Sequence, residues 1–114
     1  MEEPGAERVE ALLPGAKVSA VNVGEVVAKL RDLGMPEATV ETVVGGLQLD
    51  VRVHDWDAAL ASGFLRPTTR SAGLSLGDRA CLALAAALGL PAVTADRSWL
   101  SVAAAVGVRV APIR

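Results

Sequence analysis

The stretch that decides the fold is LSLGDRACLALAAALGLPAVTAD, which occupies residues 74–96. Residues 80–95 carry no charged side chain, whereas Asp78 and Asp96 stand on the two flanks of this apolar run. The spacing of the apolar residues predicts a helix over Leu76–Leu88, and the glycine that follows is a typical helix stop. The short β-branched run after it predicts a strand. The stretch therefore combines one buried helix, one buried strand and a carboxylate at each end.

Outward from this stretch, strands and helices alternate along the whole chain. Helices are predicted over residues 2–13, 21–34, 36–45, 56–65 and 97–107, strands over residues 17–21, 47–54, 92–95 and 108–113, and a loop over residues 66–73. In the strand at 47–54, apolar residues alternate with polar ones, which predicts one wetter face and a position near a sheet edge. The alternation predicts an α/β domain with a mainly parallel sheet and helices on both faces.

The overall composition limits the classes of protein to which this chain can belong. The 114 residues are expected to form one domain, 1–114, and 52% of them are hydrophobic. A net charge of −2 excludes a global basic field for nucleic acid, although it leaves room for a local basic patch. A single cysteine, Cys81, excludes an internal disulfide framework and suggests a reducing compartment. We see no secretory leader and no run long enough to span a bilayer, so a cytoplasmic protein without membrane contact is expected.

Three acidic residues are candidates for a functional site. Ligands of parallel α/β sheets bind beyond the carboxyl ends of the strands. Asp96 ends a predicted strand, and Glu25 lies in the first turns of the helix after the first strand. Asp78 begins the helix that leads into the Asp96 strand, and we expect this helix to start at the opposite edge. Topology alone therefore joins Glu25 to Asp96 and leaves Asp78 apart.

Each acid also has a purely structural interpretation. Ser75 and Asp78 match a capping box, in which the serine caps the helix and the acid satisfies a backbone amide. Glu25 can pair with Lys29 one helical turn later. Asp96 can cap the helix that follows it. The residues alone leave both interpretations open.

Other signals of catalysis are weaker. His54 has no Cys or His partner at metal-ligand spacing, and no nucleophile elbow or dinucleotide-binding glycine motif is present. Four arginines flank the acids in sequence and form either a solvated rim or contacts to RNA phosphates: Arg66, Arg70, Arg79 and Arg97.

The segment VSAVNVGEVVAKL at residues 18–30, the stretch at 74–96 and the tryptophan three residues after it resemble the PIN-domain ribonucleases. The resemblance is greatest to the VapC toxins of bacterial type II toxin–antitoxin pairs and covers essentially the whole chain. It implies a PIN-like fold in which the acid of the GD helix joins the acid at the strand end. The implied activity is hydrolysis of an RNA phosphodiester by an endoribonuclease.

The same resemblance implies the composition of the site. The catalytic metal ligands map onto Glu25, Asp78 and Asp96, and the supporting polar positions are Asn22, Ser75 and Thr94. The implied cofactor is Mg²⁺ or Mn²⁺, because oxygen ligands suit these cations and the cation relieves repulsion between carboxylates. The implied partners are a VapB-type antitoxin, a tRNA or rRNA substrate and a second copy of the chain in a homodimer.

The chain departs from the resemblance at its beginning. PIN-domain ribonucleases open with a strand that carries the first metal-binding aspartate, whereas residues 2–13 resemble the second part of the helix that follows. That strand is central in the order 3-2-1-4-5, so we expect two strands on each side of a gap, with costly unpaired backbone groups. Either Met1 is not the natural start, or the fold closes differently, or the chain is a degenerate relative.

Three functions are compatible with the sequence. The first is a VapC-like endoribonuclease whose acidic site lacks the first aspartate and whose activity is impaired. The second is a non-catalytic PIN-like module that binds an antitoxin or dimerises. The third is a small α/β scaffold in which every acid of the set is a helix cap.

Overall fold

Short parallel strands alternate with helices through residues 14–94 and 96–112, which are the residues that the structure, a computed structural model, describes. In chain order the elements are β1 (Lys17–Ser19), α1 (Ala20–Asp32), α2 (Glu37–Gly45), β2 (Asp50–Arg52), α3 (Trp56–Phe64), α4 (Arg66–Thr69), α5 (Leu76–Leu88), β3 (Ala92–Thr94), a 3-10 helix (Arg97–Ser101), α6 (Ala103–Val106) and β4 (Val110–Pro112). The helix predicted over residues 2–13 lies outside the described residues. The α/β class with short parallel strands is confirmed.

The strands form two separate parallel pairs instead of one sheet. β1 pairs with β2, with Val18 opposite Val51, and β3 pairs with β4, with Val93 opposite Ala111. Among the described residues, no ladder joins the first pair to the second. This is the arrangement expected from the sequence, with two strands on each side of a gap.

One edge of β1 and one edge of β3 form no ladder with any other strand in residues 14–94 and 96–112. The amide of Asp50 donates to the carbonyl of Ala16 over 2.8 Å. In this register the backbone N–H and C=O of Lys17 point away from β2. The amide of Ala92 donates to the carbonyl of Arg109 over 2.8 Å, which turns the backbone of Val93 away from β4 in the same manner. Helix α5 packs against both β1 and β3 and so connects the two pairs.

The core is built around α5 and the chain that follows it. Leu82 is fully buried, and Leu74, Trp99, Val102 and Val108 pack in the same cluster. The other buried positions of α5 are alanines and a glycine, and small side chains allow α3 and the strands to approach this helix closely. None of the helices in the described ranges is long and apolar enough to cross a membrane.

Helix boundaries follow from capping groups. Ser19 caps α1 by accepting a hydrogen bond from the amide of Val21, so the strand predicted to run to residue 21 ends two residues earlier. Asp55 caps α3 by accepting from the amide of Ala58 at 3.0 Å. Gly89 ends α5 in the left-handed conformation, at φ 65°, as its position in the sequence predicts.

Several predicted boundaries are wrong. The strand predicted over residues 47–54 is reduced to β2, because Gln48 takes a left-handed backbone at φ 56° that interrupts an extended chain. Its apolar face is not covered by the described elements, since Val51 is 47% and Val53 is 78% exposed. The predicted loop at 66–73 begins with the short helix α4, in which Pro67 suits a first turn.

The carboxyl-terminal elements are also shorter than predicted. The helix predicted over residues 97–107 is divided into the 3-10 helix and α6, which meet at Val102. The last strand, β4, occupies only the middle of the range predicted for it at 108–113.

The polar face of β2 carries a cluster of ion pairs. The guanidinium of Arg52 donates two hydrogen bonds to the carboxylate of Asp50, at 3.1 and 3.0 Å, and the amine of Lys17 lies 3.9 Å from it. Chiefly through the Arg52 hydrogen bonds, the pKa of Asp50 falls below its usual range. The cluster is open to solvent and therefore adds little to stability.

Candidate acidic site at the start of helix α5

The candidate site lies where the first turns of α1 and α5 meet. The side-chain amide of Asn22, in α1, donates a hydrogen bond to the carbonyl oxygen of Gly77, in α5, at 2.9 Å. These two residues are 55 positions apart in the sequence. The hydrogen bond therefore fixes the beginning of one helix against the beginning of the other.

Glu25 projects from α1 toward this junction. Its carboxylate accepts a hydrogen bond from the same Asn22 amide at 3.2 Å and lies directly against the α-carbon of Gly77. Among the described residues no ion pair joins Glu25 to Lys29. The side chain of Glu25 is exposed and can still reach a ligand.

Asp78 follows Gly77 and closes the predicted capping box. Its carboxylate accepts from the amide of Ser75 at 2.9 Å, while the hydroxyl of Ser75 accepts from the amide of Asp78 at 3.2 Å. The capping interpretation is therefore confirmed. It does not exclude a ligand, because a carboxylate has two oxygens with several acceptor positions between them.

Asp96 stands just beyond the carboxyl end of β3. Its amide donates to the hydroxyl of Thr94 at 2.9 Å, and its carboxylate accepts from the amide of Ser98 at 2.9 Å. The side-chain and backbone hydrogen bonds of Ser98 lower the pKa of Asp96 from its usual value. Asp96 is therefore an exposed, ionised carboxylate at neutral pH, and it also caps the 3-10 helix.

The structure brings some of the predicted residues together. Asn22, Glu25 and the start of α5 form one contiguous group that contains Ser75 and Asp78. Thr94 and Asp96 form a second group at the end of β3. No set of three or more His, Cys, Asp or Glu side chains in the described ranges is arranged to hold a metal ion. The metal-binding roles of Glu25, Asp78 and Asp96 stay predictions.

The topological argument that separated Asp78 from the other acids is wrong. A helix that returns between parallel strands begins at their carboxyl edge and ends at their amino edge. The hydrogen bond from Asn22 places the start of α5 beside the start of α1, which is the carboxyl end of β1. Helix α5 then leads into β3, which runs back to Asp96. This chain path permits Asp78 and Asp96 to stand at the same edge, as the resemblance to the PIN-domain ribonucleases implies.

Gly77 was not among the residues that sequence reasoning singled out. The signal was present, because a glycine in the first turn of an otherwise alanine- and leucine-rich helix lowers helix stability and needs a reason. Its partner, Glu25, lies too far away in sequence for the pairing to be read locally.

The four flanking arginines differ in their surroundings. Arg66 and Arg70 are exposed at the two ends of α4, and Arg97 is exposed beside Asp96. Arg79 is half-buried, and its guanidinium donates to the carbonyl of Ser62 at 3.1 Å. Arg79 therefore contributes to the packing of α5 against α3, whereas the other three present their side chains to solvent.

Two clefts lie elsewhere on the molecule. One, of about 440 Å³, is lined by the end of β2 and by alanines of α3 and α5. The other, of about 550 Å³, lies between α1 and α2. Glu25, Asp78 and Asp96 line neither cleft. Glu25 and Asp96 are exposed, and Asp78 is half-buried.

Comparison with known families identifies the fold. The family model of the PIN domain matches residues 2–105 of the chain. The chain belongs to the PIN-domain family. No curated protein and no solved structure matches it significantly. PIN domains include nucleases that typically depend on divalent metal ions, so a nuclease-type function is supported for this PIN domain.

Proposed function

We propose that this PIN domain is an Mg²⁺- or Mn²⁺-dependent endoribonuclease of the VapC toxin type. The observation that supports this most is the position of Glu25, whose carboxylate is held by Asn22 against the start of α5, next to Asp78. A long, exposed acidic side chain gains no packing there. Its contact with Gly77, the residue before Asp78, supports a ligand shared by the two acids.

The donor set fits a divalent cation of this kind. Glu25, Asp78 and Asp96 offer only carboxylate oxygens, which are the ligands that Mg²⁺ and Mn²⁺ prefer. Asp78 and Asp96 each use part of their carboxylate to cap a helix, and these hydrogen bonds also orient the carboxylate, as hydrogen bonds to metal ligands do in known metal sites. When bound, the cation supplies an activated water and stabilises charge on the scissile phosphate.

The residues of the chain have distinct roles in this proposal. Glu25, Asp78 and Asp96 hold the cation, while Asn22, Ser75 and Thr94 orient them or the backbone beside them. Three exposed arginines, Arg66, Arg70 and Arg97, are proposed to contact RNA phosphates, and contacts of this kind position RNA without specifying its sequence. Arg79 is less suited to that role, because its guanidinium is bound to Ser62.

The partners proposed for this PIN domain are an RNA substrate of the tRNA or rRNA class, a VapB-type antitoxin and a second copy of the chain. An exposed apolar face on α3 supports the presence of a protein partner. Trp56 and Phe64 are 75% and 74% exposed, and Leu60 lies between them at helical spacing. Large exposed apolar groups on one face are typical of interaction surfaces.

A second candidate function has its own support. The exposed apolar face of α3, with Trp56, Leu60 and Phe64, is also compatible with a non-catalytic PIN module that binds an antitoxin or dimerises. Cleavage of RNA separates the two candidates.

The test is cleavage of total bacterial RNA by the purified chain with Mg²⁺ or Mn²⁺, with EDTA as the metal-free control. We expect discrete fragments that disappear with EDTA and in Asp78→Asn and Asp96→Asn. Cleavage that survives both substitutions would show a contaminating or unrelated nuclease. Absence of cleavage by the folded chain favours the binding module.

A further inference from the structure

Gly77 is a buried glycine in the first turn of α5, and its backbone does not explain why it is glycine. It lies within the helix and is not among the glycines with positive φ. What it provides is space. A β-carbon built on Gly77 would overlap both carboxylate oxygens and the carboxyl carbon of Glu25. Any other residue at this position would displace the Glu25 carboxylate.

Asn22 fixes the same carboxylate from a second side. Its amide donates to Glu25 at 3.2 Å and to the carbonyl of Gly77 at 2.9 Å, so one side chain joins the two residues. Asn22 and Glu25 are three residues apart in α1 and share one face of that helix. The Glu25 carboxylate thus lies between the backbone of Gly77, in α5, and the side-chain amide of Asn22, in α1.

We propose that Gly77 is a positioning residue that, together with Asn22, seats the Glu25 carboxylate beside Asp78 for a divalent cation. The role of the cation in this inference rests on the proposed function, whereas the seating itself rests on the contacts. A free glutamate side chain samples many rotamers and loses that freedom when it binds a metal. Contacts that fix the carboxylate before the metal binds remove part of this entropy cost and so raise metal affinity.

The test compares Gly77→Ala with a matched control, Gly63→Ala. Gly63 is also helical, in α3, and a β-carbon there would meet nothing within 4 Å. Mn²⁺ affinity is measured by the electron paramagnetic resonance signal of the free ion. We expect Gly77→Ala to weaken Mn²⁺ binding about tenfold or more, the size of effect typical for residues that orient metal ligands, and Gly63→Ala to leave it unchanged.

A double-mutant cycle shows whether Gly77 acts through Glu25. In a Glu25→Ala background the carboxylate is absent, so Gly77→Ala should weaken Mn²⁺ binding no further. An equal loss in the presence and in the absence of Glu25 overturns the proposal. If Gly77→Ala does not fold, Asn22→Ala removes the second half of the seat without crowding the helix. It is expected to weaken Mn²⁺ binding as well, and unchanged affinity in this variant overturns the proposal.

The seating is also measured without metal. In the wild-type chain we expect a nuclear Overhauser contact between the α-protons of Gly77 and the γ-protons of Glu25. The side-chain amide signals of Asn22 should move in Gly77→Ala and stay in place in Gly63→Ala. Absence of the contact overturns the proposal whatever the chain does with metal. A wild-type chain that shows the contact but binds no Mn²⁺ supports the seating and overturns the metal chemistry of the proposed function.

Discussion

The side-chain amide of Asn22 lies 2.9 Å from the carbonyl oxygen of Gly77, and this hydrogen bond defines the edge of the molecule at which the acids stand. It joins the start of α1, which follows β1, to the start of α5, which leads into β3. At this edge Glu25 contacts Gly77, the residue before Asp78.

Asp78 serves as a cap whether or not it binds metal, and two substitutions separate these roles. Asp78→Ala removes the acceptor for the amide of Ser75 and should lower the free energy of unfolding by about 1 kcal/mol. Asp78→Asn keeps an oxygen acceptor and should cost about half of that, since only the favourable charge at the helix start is lost. Urea unfolding without metal measures both values.

The same pair of variants tests the ligand role. With Mn²⁺ present, the wild-type chain should become more stable, and both variants should lose most of that gain. If Mn²⁺ raises the melting temperature of Asp78→Asn as much as that of the wild type, Asp78 is a cap only. If Mn²⁺ stabilises none of the three proteins, all acids of the set are structural.

Asp96 should make the fold sensitive to acid. Its pKa is lowered in the folded chain by Ser98, so its contribution to stability is fully present above the unfolded-state pKa of about 3.9. This contribution is lost as the pH falls through the lower, folded-state pKa. Ser98→Ala removes the hydroxyl donor and should move the pKa of Asp96 back toward its usual value.

Carboxyl carbon nuclear magnetic resonance follows this titration directly. Asp50 is the internal control, because its pKa is lowered mainly by Arg52 and should not respond to Ser98→Ala. An Asp96 titration that is identical in wild type and Ser98→Ala would show that the Ser98 hydroxyl does not donate to Asp96 in solution.

Cys81 should be an inert thiol. Burial, and secondarily the negative charge of Asp78, raise its pKa to about 11, so almost no thiolate exists at neutral pH. Reaction with a disulfide reagent at pH 8 should be slow in the folded chain and rapid in urea. Asp78→Asn should accelerate the reaction of the folded chain slightly. A fast reaction in the wild type would mean that α5 is less well packed than the structure shows.

Much of the fold was readable from the sequence because its signals are local. Helix α5 was predicted with its observed boundaries, since Ser75, Asp78 and Gly89 mark them through capping chemistry. The strands were predicted too long. Ser19 stops β1 by capping the next helix, and the left-handed backbone of Gln48 interrupts the extended run before β2. Neither event changes the apolar periodicity from which strands are predicted.

The acidic site was less readable because it depends on contacts between distant segments. Capping by Asp78 and Asp96 could be predicted from a few neighbouring residues. The Asn22–Gly77 contact could not, and an incorrect view of where α5 begins led to the separation of Glu25 from Asp78. Gly77 was overlooked for the same reason, since its partner is a side chain of another helix.

One edge of β1 and one of β3 have no strand partner in the part of the chain that the structure describes, so we expect the fold to accept another strand. An engineered amino-terminal extension of β-branched residues should raise the melting temperature, because it offers backbone partners to groups such as those of Lys17 and Val93. A glycine- and serine-rich extension of equal length is the control and should have no effect. Equal melting temperatures for the two extensions would show that the edges are not available for pairing.

A shared metal site is tested most directly by paramagnetic broadening of backbone amide signals with substoichiometric Mn²⁺. We expect Glu25, Asp78 and Asp96 to be broadened together, with Gly77 among the affected residues, and Asp96→Asn to weaken broadening at all of them. Broadening confined to one acid, or spread over the acidic surface without a centre, would contradict a shared metal site and leave Asp78 and Asp96 as helix caps only.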